Sequence, residues 1–348
     1  MSERTATPAD FFARRTHFID HLAPIWKAMD WRGKFYVPAG LVDYARAEGV
    51  EAIGLESQTG DPMAVVPPGG TPLVTCAYHG MMQTLTARPQ RRVILMEHGV
   101  GITFGPTHNG YAGGQGMRRK VKLFLAPNEY IRNKTAKSLP HAAQVIIGTP
   151  KLDEWAGKFE EGAQRKAEGK PVVCVAFHWD GSRVEPEAGT AYPAYKSILS
   201  ELARQSRFTL IGHGHPKAME MYAADYEAMG IEAVWDFREV MRRADLYIND
   251  CSSTMYEFLV TGKPVILLNA PWFRKEKRFG IRFWDYTDIG PQVNEAEELL
   301  SAIEMMLKYP GQFLAARAKA VHELYPHMGT AATRAAAAIE GYCGAVYG

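Results

Sequence analysis

Cysteine is scarce in this sequence, and the four present stand far apart. Cys76, Cys174, Cys251 and Cys343 form no Cys-x-x-Cys pair. That spacing excludes a zinc ribbon or a disulfide framework as the basis of the fold, and reduced thiols in the cytosol are the simpler expectation. No apolar run reaches the roughly 18 residues of a membrane span, so no spanning helix is expected. Met1 to Asp10 lacks the apolar core of a signal peptide, which argues against secretion and for a cytoplasmic protein. Net charge is nearly absent too, at a formal +2. A uniformly cationic nucleic-acid binder would be more basic, so any basic patch has to be local. There is no repeat of solenoid period, and no Asp-x-Asp pair that would suggest an obligatory divalent metal.

What is present suits a globular α/β protein. The chain has 348 residues, 47% of them apolar, which is material for two cores rather than one. Short apolar runs recur at Lys34–Val37, Leu73–Tyr78, Arg92–Met96, Lys122–Ala126 and Val145–Ile147. A second series follows at Pro171–Phe177, Phe208–Gly212, Asp245–Ile248 and Pro264–Leu268. Several are continuous rather than alternating, as in parallel strands buried on both faces. Helical patterns at Tyr195–Gln205 and Met219–Met229 lie between strands of the second series, and Glu295–Tyr309 and Gly311–Ile339 read as mostly helical. Alternation of β and α elements predicts doubly wound parallel sheets. The charged stretch 151–170 is expected to connect an N-terminal domain, 1–150, to a C-terminal domain, 171–325. A final helix in 326–348 is expected to pack back on the first domain. Ala9–Met29 reads as one amphipathic helix with Phe12, Ile19, Leu22 and Trp26 near one face. It either packs on its own domain or lies as a basic helix on a membrane surface.

The stretch Asp245-Leu-Tyr-Ile-Asn-Asp-Cys-Ser-Ser-Thr-Met-Tyr-Glu-Phe-Leu runs from a strand into a helix that stops at Gly262. Ser252, Ser253 and Thr254 thus stand at a helix N-terminus beyond the carboxyl end of a strand, a place suited to phosphate. Spacing alone also permits a capping box between Thr254 and Glu257. His213 and His215 are two residues apart, but two histidines with no nearby cysteine or carboxylate cluster are an incomplete metal set, and no metal site is expected.

Asp250-Cys-Ser-Ser-Thr-Met-Tyr-Glu-Phe followed by Gly262-Lys-Pro-Val resembles the donor motif of the CDP-glycerol glycerophosphotransferase family, the teichoic-acid polymerases and their relatives. Gly212-His-Gly-His-Pro resembles the family's His-Pro motif. Ala176-Phe-His-Trp-Asp stands where members have Pro-Thr-aromatic-Arg, and Gly148-Thr-Pro-Lys-Leu-Asp resembles the junction before the second domain. The resemblance implies a GT-B fold, two Rossmann-like domains with parallel sheets facing a central cleft. It implies that Ser252 and Ser253 hold the pyrophosphate of a nucleotide-activated donor (CDP-, UDP- or GDP-linked) and that Glu257 bonds the ribose. His215 would lie beside the phosphates, with Gly214, Pro216, Asp250 and Thr254 completing the donor site. Two departures are Asp180, in place of the usual arginine, and His327-Met-Gly, where many members have Asp-Gly.

Arg92-Val-Ile-Leu-Met-Glu-His-Gly places His98 just after a buried strand, with Gly99 and Gly101 allowing a tight turn or a close backbone approach. A histidine titrates near neutral pH and can take a proton from a hydroxyl, although one at a strand end can equally be bonded to a loop carbonyl. The family has a matching His-Gly, which implies that His98 is the catalytic base. The glycine-rich stretch that follows suits a lid or an acceptor clamp, and Arg118, Arg119 and Lys120 are either phosphate ligands for the acceptor or a solvated face. The expected activity is transfer of a glycosyl or glycerophosphate group, without metal or other cofactor, to a hydroxyl on a glycan, polyol phosphate or other polymer. The alternatives are a nucleotide-sugar glycosyltransferase acting on protein or modified nucleic acid, a UDP-sugar 2-epimerase-like isomerase, and a non-catalytic nucleic-acid-binding module.

Overall fold

The computed structural model describes residues 9–57, 65–76, 84, 87–100, 120–136, 139, 141–165, 167, 169–183, 189–273 and 286–347. The chain divides into two compact units. The described residues of unit 1 lie within Met1–Val100, Gly110–Glu154 and Glu323–Gly348, and those of unit 2 within Trp155–His322.

Unit 1 contains β1 (Asp10–Phe12), α1 (Thr16–Ala28), β2 (Phe35–Pro38), α2 (Val42–Ala47), β3 (Ala52–Leu55), β4 (Leu73–Thr75), β5 (Val93–Met96), β6 (Val121–Ala126), α3 (Glu129–Ala136) and β7 (Ala143–Ile146). The strands form one parallel sheet in the order β3-β2-β1-β4-β5-β6-β7. Both faces are covered, which is why β5 is apolar without alternation. Ile94 and Met96 join the core shared with α1, while Val93 and Leu95 join the opposite core with Phe124 and Ile131.

Unit 2 contains α4 (Phe159–Gln164), β8 (Val172–Phe177), α5 (Tyr192–Ala203), β9 (Thr209–Gly214), α6 (Met219–Ala228), β10 (Glu232–Ala233), α7 (Phe237–Arg243), β11 (Leu246–Asn249), α8 (Thr254–Phe258), β12 (Val265–Leu268), β13 (Gln292–Val293), α9 (Leu299–Lys308) and most of α10 (Leu314–Leu324). Its strands are also all parallel, ordered β10-β9-β8-β11-β12-β13. In each sheet the order reverses beside the first strand of the unit, between β1 and β4 or between β8 and β11. Open α/β sheets bind ligands beyond the carboxyl ends of strands at such a switch point.

The stretch 151–170 is divided between the units rather than forming a separate connector. The last unit-1 residues before the division, up to Glu154, belong to a short 3-10 helix at Pro150–Trp155. Next, α4 packs on the turn Leu259–Thr261 so closely that a Cβ on Gly162 would lie 1.6 Å from the Thr261 carbonyl oxygen. The chain then returns to unit 1, where α11 (Ala331–Tyr347) packs on α1 and supplies Ala335, Ala336, Ile339 and Cys343 to the core. Asp153 caps that helix over a long sequence distance. Its Oδ1 accepts from the Gly329 and Ala331 N–H groups at 2.8 and 3.1 Å, and its Oδ2 from Ala332 at 2.8 Å.

The N-terminal segment differs from its expected form. Phe12 is not on a helix but in β1, inside the sheet, and α1 begins only at Thr16. Phe18, Ile19, Leu22, Ile25 and Trp26 of α1 are buried in unit 1. The apolar face that a membrane-surface helix would offer to lipid is therefore already covered by protein.

Candidate functional site

In unit 2 the loops after β8, β9 and β11 meet at the switch point. Asp250 follows β11, is fully buried and ties them together. Its Oδ1 accepts from His178 N–H at 2.9 Å and from Cys251 N–H. Its Oδ2 accepts from the Thr190 hydroxyl at 2.8 Å and the Ala191 N–H at 3.0 Å. Asp250, expected among the donor ligands, is thus saturated by its own chain, since a carboxylate offers about four lone-pair sites.

Ser252 is buried. Its N–H donates to Asn249 Oδ1 at 3.0 Å, and its hydroxyl oxygen accepts from the Thr254 hydroxyl at 3.0 Å. Ser253 is the N-cap residue of α8, its side chain capping nothing, and it is partly exposed. The Thr254–Glu257 capping box does not form, because the cap position falls one residue earlier and the Thr254 hydroxyl is engaged by Ser252 and by the Tyr247 hydroxyl at 2.8 Å. Glu257 is buried in the first turn of the helix.

His215 follows β9. Its Nδ1 accepts from the Lys217 N–H at 3.1 Å, so the neutral ring carries its proton on Nε2 and presents a donor there. His178 stands beside it with ring centroids 4.9 Å apart. Its Nδ1 bonds the Trp179 carbonyl oxygen at 3.0 Å and therefore holds the proton, which leaves Nε2 as an acceptor. Burial is the main cause that pulls His178 below the ordinary histidine range, against the opposing charge of Asp250. Lys217 Nζ lies 4.1 Å from the Trp179 ring centroid and joins the loops after β8 and β9. Sequence reasoning missed His178, because attention at that strand end went to the residue in the arginine position. Asp180 there accepts from Ser182 N–H at 3.0 Å.

Other donor-motif residues are structural. A Cβ on Gly214 would lie 2.4 Å from the Tyr222 ring, and one on Gly212 equally close to Tyr226. The bare backbone lets both tyrosines of α6 lie on β9, where the Tyr222 hydroxyl donates to the His178 carbonyl at 2.5 Å and Tyr226 to the His213 carbonyl at 3.0 Å. Pro216 is exposed in the turn after β9. His213 is buried against Phe237 with its Nδ1 on the Val234 carbonyl oxygen at 2.8 Å, and burial holds it below the usual histidine range. Lys263, in the Gly-Lys-Pro segment, closes the end of α7 by donating to the carbonyls of Met241, Arg242 and Ala244 at 2.9, 3.2 and 2.7 Å. Among the described residues no three histidine, cysteine or acidic side chains are grouped as a metal site.

In unit 1, His98 follows β5 at the carboxyl edge of the sheet, and its side chain is 43% exposed. It rests against the start of α1, its ring 5.0 Å from Phe18, 5.8 Å from His17 and 6.3 Å from His21. His21 is buried and driven well below the ordinary histidine range, chiefly by desolvation and then by Lys151. Glu97 Oε1 lies 3.1 Å from His98 Nδ1. Among the described residues, the nearest atom to a Cβ placed on Gly99 is Glu97 Oε1 at 4.0 Å. Lys120 is not near this edge: it precedes β6, which runs parallel to β5, and so stands at the amino end, about 20 Å of strand away. Gly101, Arg118 and Arg119 lie outside the described residues.

Two all-parallel, doubly wound units, with a serine-rich turn at the switch point of the second, follow the plan of the GT-B fold. The chain belongs to the CDP-glycerol:poly(glycerophosphate) glycerophosphotransferase family, whose sequence model matches residues 73–339. It is 28% identical over 213 residues to the teichoic acid ribitol-phosphate polymerase TarL of Staphylococcus aureus, a match covering 54% of this chain and 37% of that protein. The chain thus spans well under half the length of that relative. The wall teichoic acid polymerase TagF has a similar fold, with a TM-score of 0.66 at 13% identity over 98% of this chain and 90% of that one. A putative UDP-N-acetylglucosamine 2-epimerase from Listeria monocytogenes gives 0.61 at 13% identity over 97% of both. The fold is therefore shared by transferases and epimerases, and family membership rests on the sequence match.

Proposed function

We propose that this chain transfers a glycerophosphate or related polyol-phosphate group from a CDP-linked donor to an acceptor hydroxyl. The observation that carries this reading is the family match spanning the switch-point motifs of unit 2. It is supported by a TagF structure whose crystals were soaked with CDPG.

In this reading Ser252 and Ser253 hold the pyrophosphate and Glu257 the ribose. His98 Nε2 takes the proton from the acceptor hydroxyl. The hydroxyl oxygen attacks the donor phosphorus, an O–P bond forms, and the bond from that phosphorus to the nucleotide phosphate oxygen breaks, releasing CMP. The His215 Nε2–H donates to the departing phosphate, where positioned donors stabilise developing charge. No metal ion is part of this scheme. Transfer should therefore persist in excess chelator, and its abolition there, with recovery on adding magnesium, would remove the metal-free reading.

The test uses CDP-glycerol in competition with UDP- and GDP-sugars. A ligand at one hundred times its Kd stabilises the fold by about 2.7 kcal/mol, so the true donor should raise the melting temperature of the whole chain. His98→Ala should lower transfer by about 10²–10⁴-fold while nucleotide affinity is kept. His215→Ala should weaken nucleotide affinity or leaving-group departure. Near-normal transfer by the His98 variant overturns the mechanism. Stabilisation by a UDP-sugar alone would move the donor to the sugar class.

A further inference from the structure

We infer that Glu97 is the positioning residue that orients His98 and holds its ring in the tautomer whose basic nitrogen is Nε2. This rests on the reading of His98 as the group that deprotonates the acceptor.

One oxygen of Glu97 makes three contacts with the turn that carries His98. It accepts the His98 N–H at 2.8 Å and the Gly99 N–H at 3.2 Å, and it lies 3.1 Å from His98 Nδ1. The two backbone bonds fix where the carboxylate sits relative to the turn. The third contact then constrains the ring. The approach is close rather than an aligned hydrogen bond, but an Nδ1 lone pair facing a carboxylate oxygen at that distance is repelled, which favours the hydrogen on Nδ1 and the lone pair of the neutral ring on Nε2.

The Glu97 side chain is only 9% exposed, whereas that of His98 is 43% exposed. The orienting group is thus sheltered from water, and the ring it holds is not. On the other side Phe18 packs edge-on to the ring, and His17 and His21 of α1 flank it. A ring with Nδ1 close to Glu97 and braced against α1 loses little orientational freedom when an acceptor arrives. A base oriented in turn by a third group is the general form of an activated acid–base pair. Neither flanking histidine is equivalent to Glu97, because a neutral imidazole can present either a donor or an acceptor and so does not dictate its neighbour's tautomer.

The experiment compares the whole chain with Glu97→Gln and Glu97→Leu. Histidine is labelled with nitrogen-15, and the His98 signals are assigned by their loss in His98→Gln. The wild-type protein above neutral pH should show His98 protonated at Nδ1. Glu97→Gln keeps an acceptor oxygen in place and should largely retain that tautomer. Glu97→Leu should move the proton toward Nε2. In transfer assays the leucine variant should lose kcat, up to the roughly 10²–10⁴-fold that a general base supplies, with donor KM unchanged, and glutamine should recover part of it. Retained nucleotide affinity and a cooperative melt show that the variants fold. The same tautomer in wild type and Glu97→Leu overturns the assignment of Glu97. A tautomer shift with undiminished transfer leaves Glu97 orienting the ring and overturns His98 as the base, so the two failures are separable.

Discussion

Asp250 and Ser253 stand three residues apart and have opposite tasks. Asp250 serves four donors of its own chain and has no lone pair to spare, whereas the Ser253 side chain caps nothing. Asp250→Ala should therefore act on stability, costing about 1–3 kcal/mol for each buried donor left unmet, read from urea unfolding. Ser252→Ala with Ser253→Ala should leave the chain folded, at a cost of about 0.5–1.5 kcal/mol for the lost Thr254 bond, and weaken nucleotide diphosphate binding by about 1.5–3 kcal/mol by calorimetry. Unchanged affinity in the folded double variant would return the serines to a structural role. Buried histidines set the response to acid. His21, His178 and His213 are each lowered from 6.5, chiefly by burial. Below about pH 6.5 the unfolded chain takes up protons that the folded one resists, so stability should fall as pH drops through that window. His213→Gln, which keeps a polar group at the Val234 carbonyl, should flatten the slope of unfolding free energy between pH 7 and 5.5. An unaltered slope would mean His213 does not contribute. At this scale the placement of His98 and His215 just past strands was legible, because each follows an apolar run. The contacts of Glu97 were not, because they depend on the backbone turning after Met96, which spacing does not reveal.

At the scale of elements, Gly148-Thr-Pro-Lys-Leu-Asp gains a physical meaning. Gly148 has φ +88°, and a Cβ there would lie 2.4 Å from the Pro326 carbonyl oxygen and 2.9 Å from Ala331 Cβ. Five residues later, Asp153 caps α11. The motif receives the returning chain. Asp153→Ala should cost about 0.5–2 kcal/mol, as loss of a helix cap does, and Gly148→Ala should cost at least as much through strain and overlap. Equal unfolding midpoints for wild type and both variants would rule this out. Most strands that sequence reading found are buried on both faces, such as β5, β8 and β12, where packing demands a continuous apolar run; β7, an edge strand, was found as well. That reading missed β3, β10 and β13, which are short or lie at sheet edges, where that demand is weak. It also misread β1, a strand of three residues held between β2 and β4, because Phe12 happens to fall in helical phase with Ile19, Leu22 and Trp26. Neighbouring strands, not local propensity, decide its form.

For the whole molecule, each unit follows the same doubly wound plan, and the candidate groups fall at the carboxyl ends of strands in both. The donor motifs are contiguous in sequence and were readable as such. The groups around His98 come from α1 and the end of β5, which are far apart in sequence, and Lys120 shows how a basic residue near in sequence can belong to the other end of a sheet. The two units also come off the ribosome under different terms. The described residues of unit 2 form one run from Trp155 to His322, so that unit has all of them once that run has emerged. Unit 1 starts first and finishes last: its core lacks Ala335, Ala336, Ile339 and Cys343 until α11 is made. Until then the apolar flank of α1 has no cover, and the nascent N-terminal part is the one that needs shielding, by a chaperone or by the pace of translation, while the later-made half is already folded.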